Sequence, residues 1–336
     1  MYITHSNSIY SEDPVLLDHI PYPQYVHRVS TGGMPVEQGL KIMPMQLIDY
    51  VLAGKGMADT GTSDFIRKLT QHKRARVGFL LAAGNNSWTG YITNIKRTNA
   101  YPSYKLPVMG ISQVQAGYIA NRIGAFEYIA TDSTSCISGH SAWYTAKNML
   151  ALDRLNAMVV ISVDNSLSEE YLTIFGENGL SKLATGEEDK SVKKFRLGDG
   201  CNITVFESLA SIVYSKHDAL AEVMDMHIAS EYYSNPLGIS PTGEGYKKVI
   251  DKVDTTGIKF VKTHNTYSED NQVEKQILED RFGDIKLVSY KLRIGHTMGA
   301  STAIETALAI KEESGRFLSL GAGMGNVFSS AVVDIL

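Results

Sequence analysis

EYIATDSTSCISGHSAWYTAKNML, residues 127–150, carries the first decision about this chain. A short apolar run, EYIAT, breaks at a polar turn, and a helical pattern follows with Cys136 standing just before it. Ser138, Gly139, Ser141 and Ala142 keep the first turns of that helix small. A strand passing straight into a turn and a helix is the building unit of an α/β protein. Working outward, RVGFLLAAG (76–84), NAMVVISVD (156–164), CNITVFE (201–207), GIKFVKTH (257–264), DIKLVSYK (284–291) and VFSSAVVDI (327–335) read as further strands flanked by turn residues. Apolar runs of this kind suit a sheet covered on both faces. Helical patterns alternate with them over 44–54, 62–72, 138–152, 218–232, 242–252, 270–281 and 299–313, which predicts an α/β fold. The most polar stretch, GEEDKSVKKFRLGDG (186–200), reads as a surface excursion. The chain divides after the strand at 201–207, giving halves of 1–207 and 208–336.

The 336 residues are 43% hydrophobic and 20% charged, enough to bury a sizeable core. A net charge of -4 gives no reason to expect a nucleic acid partner. The opening MYITHSNSIYSEDP lacks a basic region followed by an apolar run, and no stretch approaches the ~18 consecutive apolar residues of a membrane span. The expectation is a cytoplasmic protein with no membrane partner. Two cysteines, Cys136 and Cys201, make neither a disulfide framework nor a zinc site.

A thiol at the start of a helix faces unpaired backbone N–H groups and the positive end of the helix dipole. Both favour the thiolate, the nucleophilic form, so Cys136 is expected to have a lowered pKa. The alternative is a buried structural cysteine. Cys201 fits that alternative, because it opens an apolar strand. His264 ends one strand, and Lys291 and His296 lie between another strand and a Gly- and Ala-rich helix. Strand ends and the loops after them are where sites are built in open α/β sheets. A cysteine with two distant histidines in such loops forms a candidate catalytic set. FLSLGAGMGNVFSS (317–330) places Gly321, Gly323 and Gly325 before the last strand, where backbone N–H groups can approach a ligand.

These segments together resemble the β-ketoacyl-acyl carrier protein synthases, the elongating ketosynthases of the thiolase superfamily. TSCISGHSA (134–142) resembles their nucleophile motif and THNTYSEDN (263–271) a diverged form of their first histidine loop. KLRIGHTMGA (291–300) closely matches their lysine-x-x-isoleucine-glycine-histidine-threonine motif. GAGMGN (321–326) resembles their final glycine-rich loop, and GDGCNITVFE (198–207) the end of their first half. The resemblance implies a thiolase-like fold, two similar halves in a five-layer αβαβα arrangement. It implies a homodimer, or a heterodimer with a ketosynthase homologue, and no cofactor or metal. Departures are present: Asn265 and Tyr267 stand for glycines, Gly325 for a threonine, and Ala322 for a bulky gating phenylalanine.

The chemistry implied is decarboxylative condensation. Cys136 takes an acyl group from a thioester on an acyl carrier protein, and the backbone N–H groups of Cys136 and Ala322 hold the oxyanion. Malonyl thioester then loses CO2 under the influence of His264 and His296, with Lys291 orienting the site. Gly321, Ala322, Gly323 and Gly325 are the expected pocket wall. Two alternatives stand beside this reading: a non-catalytic, chain-length-factor type partner, and an acyltransferase on the same fold. An acidic carrier protein needs a basic landing site, for which HKRAR (72–76) and KSVKKFR (190–196) are the candidates, the second preferred.

Overall fold

VGFLLA, AMVVISVD and GCNITVFE are buried along their whole length, as strands sandwiched between helices must be. In the computed structural model, residues 1–17, 24–27, 29, 48, 51, 61–84, 111–164, 169–177, 196–266 and 271–336 are described. Twelve strands and nine α-helices lie among them: β1 (Tyr2–Ile9), β2 (Pro14–Leu17), β3 (Gln24–His27), α1 (Thr62–Gln71), β4 (Val77–Ala82), α2 (Ser112–Ile123), β5 (Tyr128–Asp132), α3 (Ser138–Ala151), β6 (Ala157–Asp164), α4 (Glu169–Glu177), β7 (Gly200–Glu207), α5 (Leu209–Ser215), β8 (Ala221–Ser230), α6 (Glu244–Ile250), β9 (Phe260–Lys262), α7 (Asn271–Phe282), β10 (Lys286–Val288), α8 (Lys291–Ile294), α9 (Ser301–Glu312), β11 (Arg316–Gly323) and β12 (Val327–Ile335).

Ten strands form one sheet in the order β10-β9-β11-β12-β8-β1-β7-β6-β4-β5. The order repeats about its middle. β4 lies parallel between β5 and β6, and β7 and β1 continue antiparallel. β9 lies parallel between β10 and β11, and β12 and β8 continue antiparallel. A short β1–β8 ladder, Tyr2 opposite Glu222 and Ile3 opposite Ala221, joins the two. Helices α3 and α9 pack on each other and on both sets of strands. Their apolar faces, including Trp143, Ala146, Ile304 and Leu308, share a core with Leu80 and Phe206 on one side and Phe260 and Phe317 on the other. Alternate residues of β4, Val77, Phe79 and Leu81, face outward onto α1 and α2. On the other side Leu318, Leu320 and Ala322 of β11 face outward onto α6 and α7. The result is five layers with a helix pair at the centre, as the resemblance implied.

Some expected elements differ. The pattern over 218–232 forms strand β8, because AEVMDMHIAS lies between β12 and β1, where ladder bonds outweigh its helix-forming residues. β1 and β11 were not expected as strands, nor α2 and α4 as helices. The strands expected over 257–264 and 284–291 shorten to three residues each, which frees His264 and Lys291 for loop and helical turn. The helix expected over 44–54 lies outside the described residues apart from Ile48 and Val51. No helix among the described residues is long and apolar enough to cross a membrane.

Candidate active site

Strand β5 ends at Asp132, and a single 3-10 turn, Ser135–Ile137, carries Cys136 into α3. The side chain of Asp132 accepts hydrogen bonds from the hydroxyls of Thr134 (2.6 Å) and Ser141 (2.7 Å), which tie the strand end to the first turns of the helix. A second 3-10 turn, Met298–Ala300, leads into α9 and packs directly on the first. Glycines of β11 let that strand lie close against the first turn. A Cβ on Gly323 would stand 3.3 Å from the backbone nitrogen of Cys136, and one on Gly321 would stand 3.0 Å from the Ile137 side chain. A Cβ on Gly325, whose φ is +88°, would meet nothing within 4 Å.

Cys136 is only 3% exposed, in a small apolar cluster with Leu172, Phe175, Leu197 and Met298. Burial pushes its thiol up, while the Ser135 hydroxyl at 3.7 Å, the Lys291 ammonium and the backbone N–H of Met324 act against that rise. The expected net lowering is therefore reversed: enclosure by apolar side chains outweighs the polar contacts. Cys201 is likewise buried, and burial alone pushes its thiol up.

The glycine-rich loop adds a contact that the sequence reading did not name. Ala322 has its side chain on the far face of β11, in the outer core with Tyr246 and Phe328. The backbone N–H that reaches the sulfur belongs to Met324, two residues on. Gly321 and Gly323 face the turn, the Ala322 side chain faces away, and Met324 lies just beyond the end of β11.

His264 and His296 come together, with ring centroids 5.5 Å apart and planes at 78°. Both are almost fully buried, and burial, reinforced by Lys291, pushes both well below the ordinary histidine pKa. Both rings are thus neutral at pH 7. Nδ1 of His296 accepts the backbone N–H of Met298 at 3.1 Å and the Ser301 hydroxyl at 3.0 Å. A backbone N–H can only donate, so the ring proton sits on Nε2. For His264, the backbone N–H donates to Glu274 Oε1 at 2.6 Å and that of Asn265 to Oε2 at 2.8 Å. Nδ1 of His264 is buried with no hydrogen-bond partner among the described residues.

Lys291 is buried and donates to Glu305 Oε1 at 2.6 Å. Three charged residues here escaped the sequence reading. They are Glu274, Glu305 and Lys262, the last of which lies 3.4 Å from Glu305 Oε2 and donates to the Leu320 carbonyl at 2.6 Å. Lys262 and Glu305 each interrupt an apolar run, in GIKFVKTH and STAIETALAI, and that interruption is the signal that could have found them. Among the described residues no group of three or more His, Cys, Asp or Glu is arranged to hold a metal. Tyr267, and the basic run at 190–196 except Arg196, lie outside the described residues. The Arg196 carbonyl accepts the His296 N–H at 2.7 Å, so that run ends at the site. HKRAR precedes the start of β4, whereas Gly84, just after its end, lies against the Cys136 turn. Six strand residues separate the two ends by about 20 Å.

Comparison with known proteins agrees with this layout. No family model matches the chain. A curated relative, 3-oxoacyl-[acyl-carrier-protein] synthase 2 of Rhizobium meliloti, is 25% identical over 202 residues, 53% of this chain and 47% of its own. The chain spans about half the length of the curated relatives it matches. Among solved structures, a type II polyketide synthase acyl-carrier protein in complex with its ketosynthase bound to the hexaketide gives a TM-score of 0.80 at 15% identity, covering 100% of this chain and 98% of that one. A ketosynthase in complex with its chain length factor from Xenorhabdus doucetiae gives 0.78 at 15% identity, covering 100% and 98%. The chain therefore has the thiolase-like fold of the ketosynthases. Within that class its sequence resembles the 3-oxoacyl-acyl carrier protein synthases, as the motifs indicated.

Proposed function

We propose that the chain is a β-ketoacyl synthase that condenses a Cys136-bound acyl group with malonyl-acyl carrier protein, in the synthesis of fatty acids, polyketides or polyene-like chains. The observation that carries this reading is the packing of the Cys136 turn on the turn that follows His296, whose neutral, buried ring pairs with that of His264, with the ion-paired Lys291 acting on the Cys136 thiol. In the first half-reaction the Cys136 sulfur attacks the acyl carbonyl, the bond to the carrier thiol breaks, and the acyl group passes to Cys136. The oxyanion is held by N–H groups around the sulfur, for which those of Cys136 and Met324 are the best supported. In the second, the malonyl carboxylate leaves as CO2, and the enolate oxygen accepts the Nε2–H of His296 and an N–H of His264. The new carbon–carbon bond forms as the acyl–sulfur bond breaks, returning the thiolate. Donation of this kind needs neutral imidazoles, which burial provides. No cofactor enters the scheme. The carrier protein docks near the run 190–196, and the functional assembly is a homodimer or a heterodimer with a ketosynthase homologue in the cytoplasm.

Intact-protein mass after incubation with a panel of acyl thioesters, followed by malonyl-acyl carrier protein, tests the reading. An acyl adduct on Cys136 that converts to a product extended by two carbons with release of CO2 is expected. An adduct transferred without CO2 release would mark an acyltransferase. No adduct would favour a non-catalytic partner, a reading that draws some support from the raised thiol and from similar structures that contain a chain length factor.

A further inference from the structure

Lys262 is the last residue of β9, a strand with β10 on one side and β11 on the other, and its exposure is 0%. An ammonium in such a place is costly unless paired and hydrogen-bonded. Its partners are the Leu320 carbonyl at 2.6 Å and Glu305 Oε2 at 3.4 Å. The other oxygen of the same carboxylate takes Lys291 at 2.6 Å. One carboxylate thus serves two ammonium groups. Glu274, the other buried acid here, spends both oxygens on the backbone N–H groups of His264 and Asn265.

We propose that Lys262 is a positioning residue of the condensing site: by sharing Glu305 it leaves Lys291 less fully neutralised, which favours the Cys136 thiolate and the neutral forms of His264 and His296. Three observations carry the argument. Lys291 acts on the Cys136 thiol in the direction of the thiolate, and a Glu305 shared with a second cation cancels less of that effect. Lys262 and Lys291 both disfavour protonation of His296 and of His264. Lys262 also grips the carbonyl of Leu320 in β11, the strand whose next residues, Gly321 and Gly323, lie against the Cys136 turn. The groups that face Lys262 are Glu305 on α9, Lys291 on α8, Glu274 on α7 and the imidazoles of His264, His296 and His140. Burial lowers Lys262 itself to about 8, against the pull of Glu305, so its charge is present at neutral pH and fades in mild alkali.

This inference rests on the condensing-site reading, and its test needs no acyl donor. The rate of Cys136 alkylation by iodoacetamide is measured against pH, with peptide-level mass spectrometry to separate Cys136 from Cys201. Lys262→Gln retains a donor for the Leu320 carbonyl and removes the charge. It should slow Cys136 alkylation at neutral pH by roughly three- to tenfold and move the profile to higher pH, a shift smaller than that of a directly contacting charge. Glu305→Gln, which unmasks both lysines, should move the profile to lower pH and decides the matter if the first variant does not fold. A profile unchanged in folded Lys262→Gln, or moved upward in Glu305→Gln, overturns the proposal. A wild-type Cys136 that alkylates as expected but accepts no acyl group from any thioester overturns the proposed condensation instead, and leaves the charge argument intact.

Discussion

At the centre of the molecule two strand-to-helix junctions face each other, built on one backbone plan and carrying different chemistry. In the first half, Ser135 adopts φ 52°, a 3-10 turn covers Ser135–Ile137, and α3 begins at Ser138. In the second, Met298 adopts φ 45°, a 3-10 turn covers Met298–Ala300, and α9 begins at Ser301. A non-glycine residue held in the left-handed region costs on the order of 1–3 kcal/mol, so neither turn is accidental. The second position of the turn is Cys136 in one half and Gly299 in the other. In the proposed reaction the first half supplies the electron pair and an N–H close to it. The second supplies no nucleophile there but holds His296 two residues before its turn. Asp164, at the end of β6, bridges the halves by accepting the N–H groups of Gly84 and Gly299, each at 3.0 Å. The lesson of the difference is that the repeat makes a cleft, and the divergence of the two turns makes it a site. In the proposed reaction the cysteine comes from one half and the two histidines from the other.

The largest effects should fall on the side chains that differ between the turns. Cys136→Ala should abolish acyl loading altogether, while Cys201→Ala, in the middle of the first half's sheet, should load as the wild type does. Intact mass distinguishes them, and an adduct on the Cys136→Ala protein would break the assignment of the nucleophile to the first junction. His264→Ala and His296→Ala should still load but lose condensation by about 10²–10³-fold, the usual cost of one donor to a developing oxyanion. Product formation in single-turnover assays with pre-acylated protein reads this directly. If either variant fails to load while folded, the second half acts on the first step as well.

The next effect concerns the shared backbone plan. A Cβ on Gly299 would stand 2.0 Å from the Gly84 nitrogen and 2.7 Å from its Cα, both backbone atoms that cannot swing aside. Gly299→Ala should therefore destabilise by about 3 kcal/mol or more, beyond ordinary overpacking of a core. Gly325→Ala, at φ +88° but with nothing within 4 Å, should cost only about 1–2 kcal/mol. Urea titration of both variants measures the gap. Equal stabilities would mean that the two junctions are not held as tightly together as their geometry implies.

How much of this was legible in the chain depends on the scale at which a residue's role is decided. KLRIGHTMGA and the Cys136 segment announced themselves, because a reactive group at a strand-to-helix turn leaves a local pattern. The alternation of strands and helices was equally local, and β4, β6, β7 and β12 fall where their apolar runs lie. β8 was misread because its Ala, Glu and Met residues favour helix in isolation, and only its place between β12 and β1 makes it extended. Glu274 was invisible: in NQVEKQIL it looks like any solvent-facing acid, yet it is 3% exposed and binds the His264 loop. Ala322 illustrates a subtler point. Motif alignment carries a side chain to a position, but a strand has two faces, and the register of β11 against β12, Ala322 opposite Phe328, sends that side chain away from the sulfur.

That register yields the smallest effect, and it separates Ala322 from the residue just past the end of β11. There Met324 is half-buried, packed against the cluster of Cys136, Leu172 and Phe175, with its N–H on the sulfur. An unbranched thioether in such a place can change rotamer at little cost, which suits a wall that must yield to an acyl chain. Met324→Ala keeps the N–H and removes that wall, so it should shift preference between short and long acyl donors by several-fold while leaving stability near the wild type. Ala322→Phe makes the opposite pairing. Its ring would be forced into the packed outer core beside Tyr246 and Phe328, costing about 1–3 kcal/mol of stability. Its chain-length profile should not change, because the ring does not reach the sulfur. Competition assays with mixed acyl thioesters, read by adduct mass on Cys136, give the profile, and thermal melts give the stability. A profile that moves in Ala322→Phe and stands still in Met324→Ala would return the gate to the position that motif alignment assigns it. It would also show that the glycine loop rearranges when an acyl chain enters.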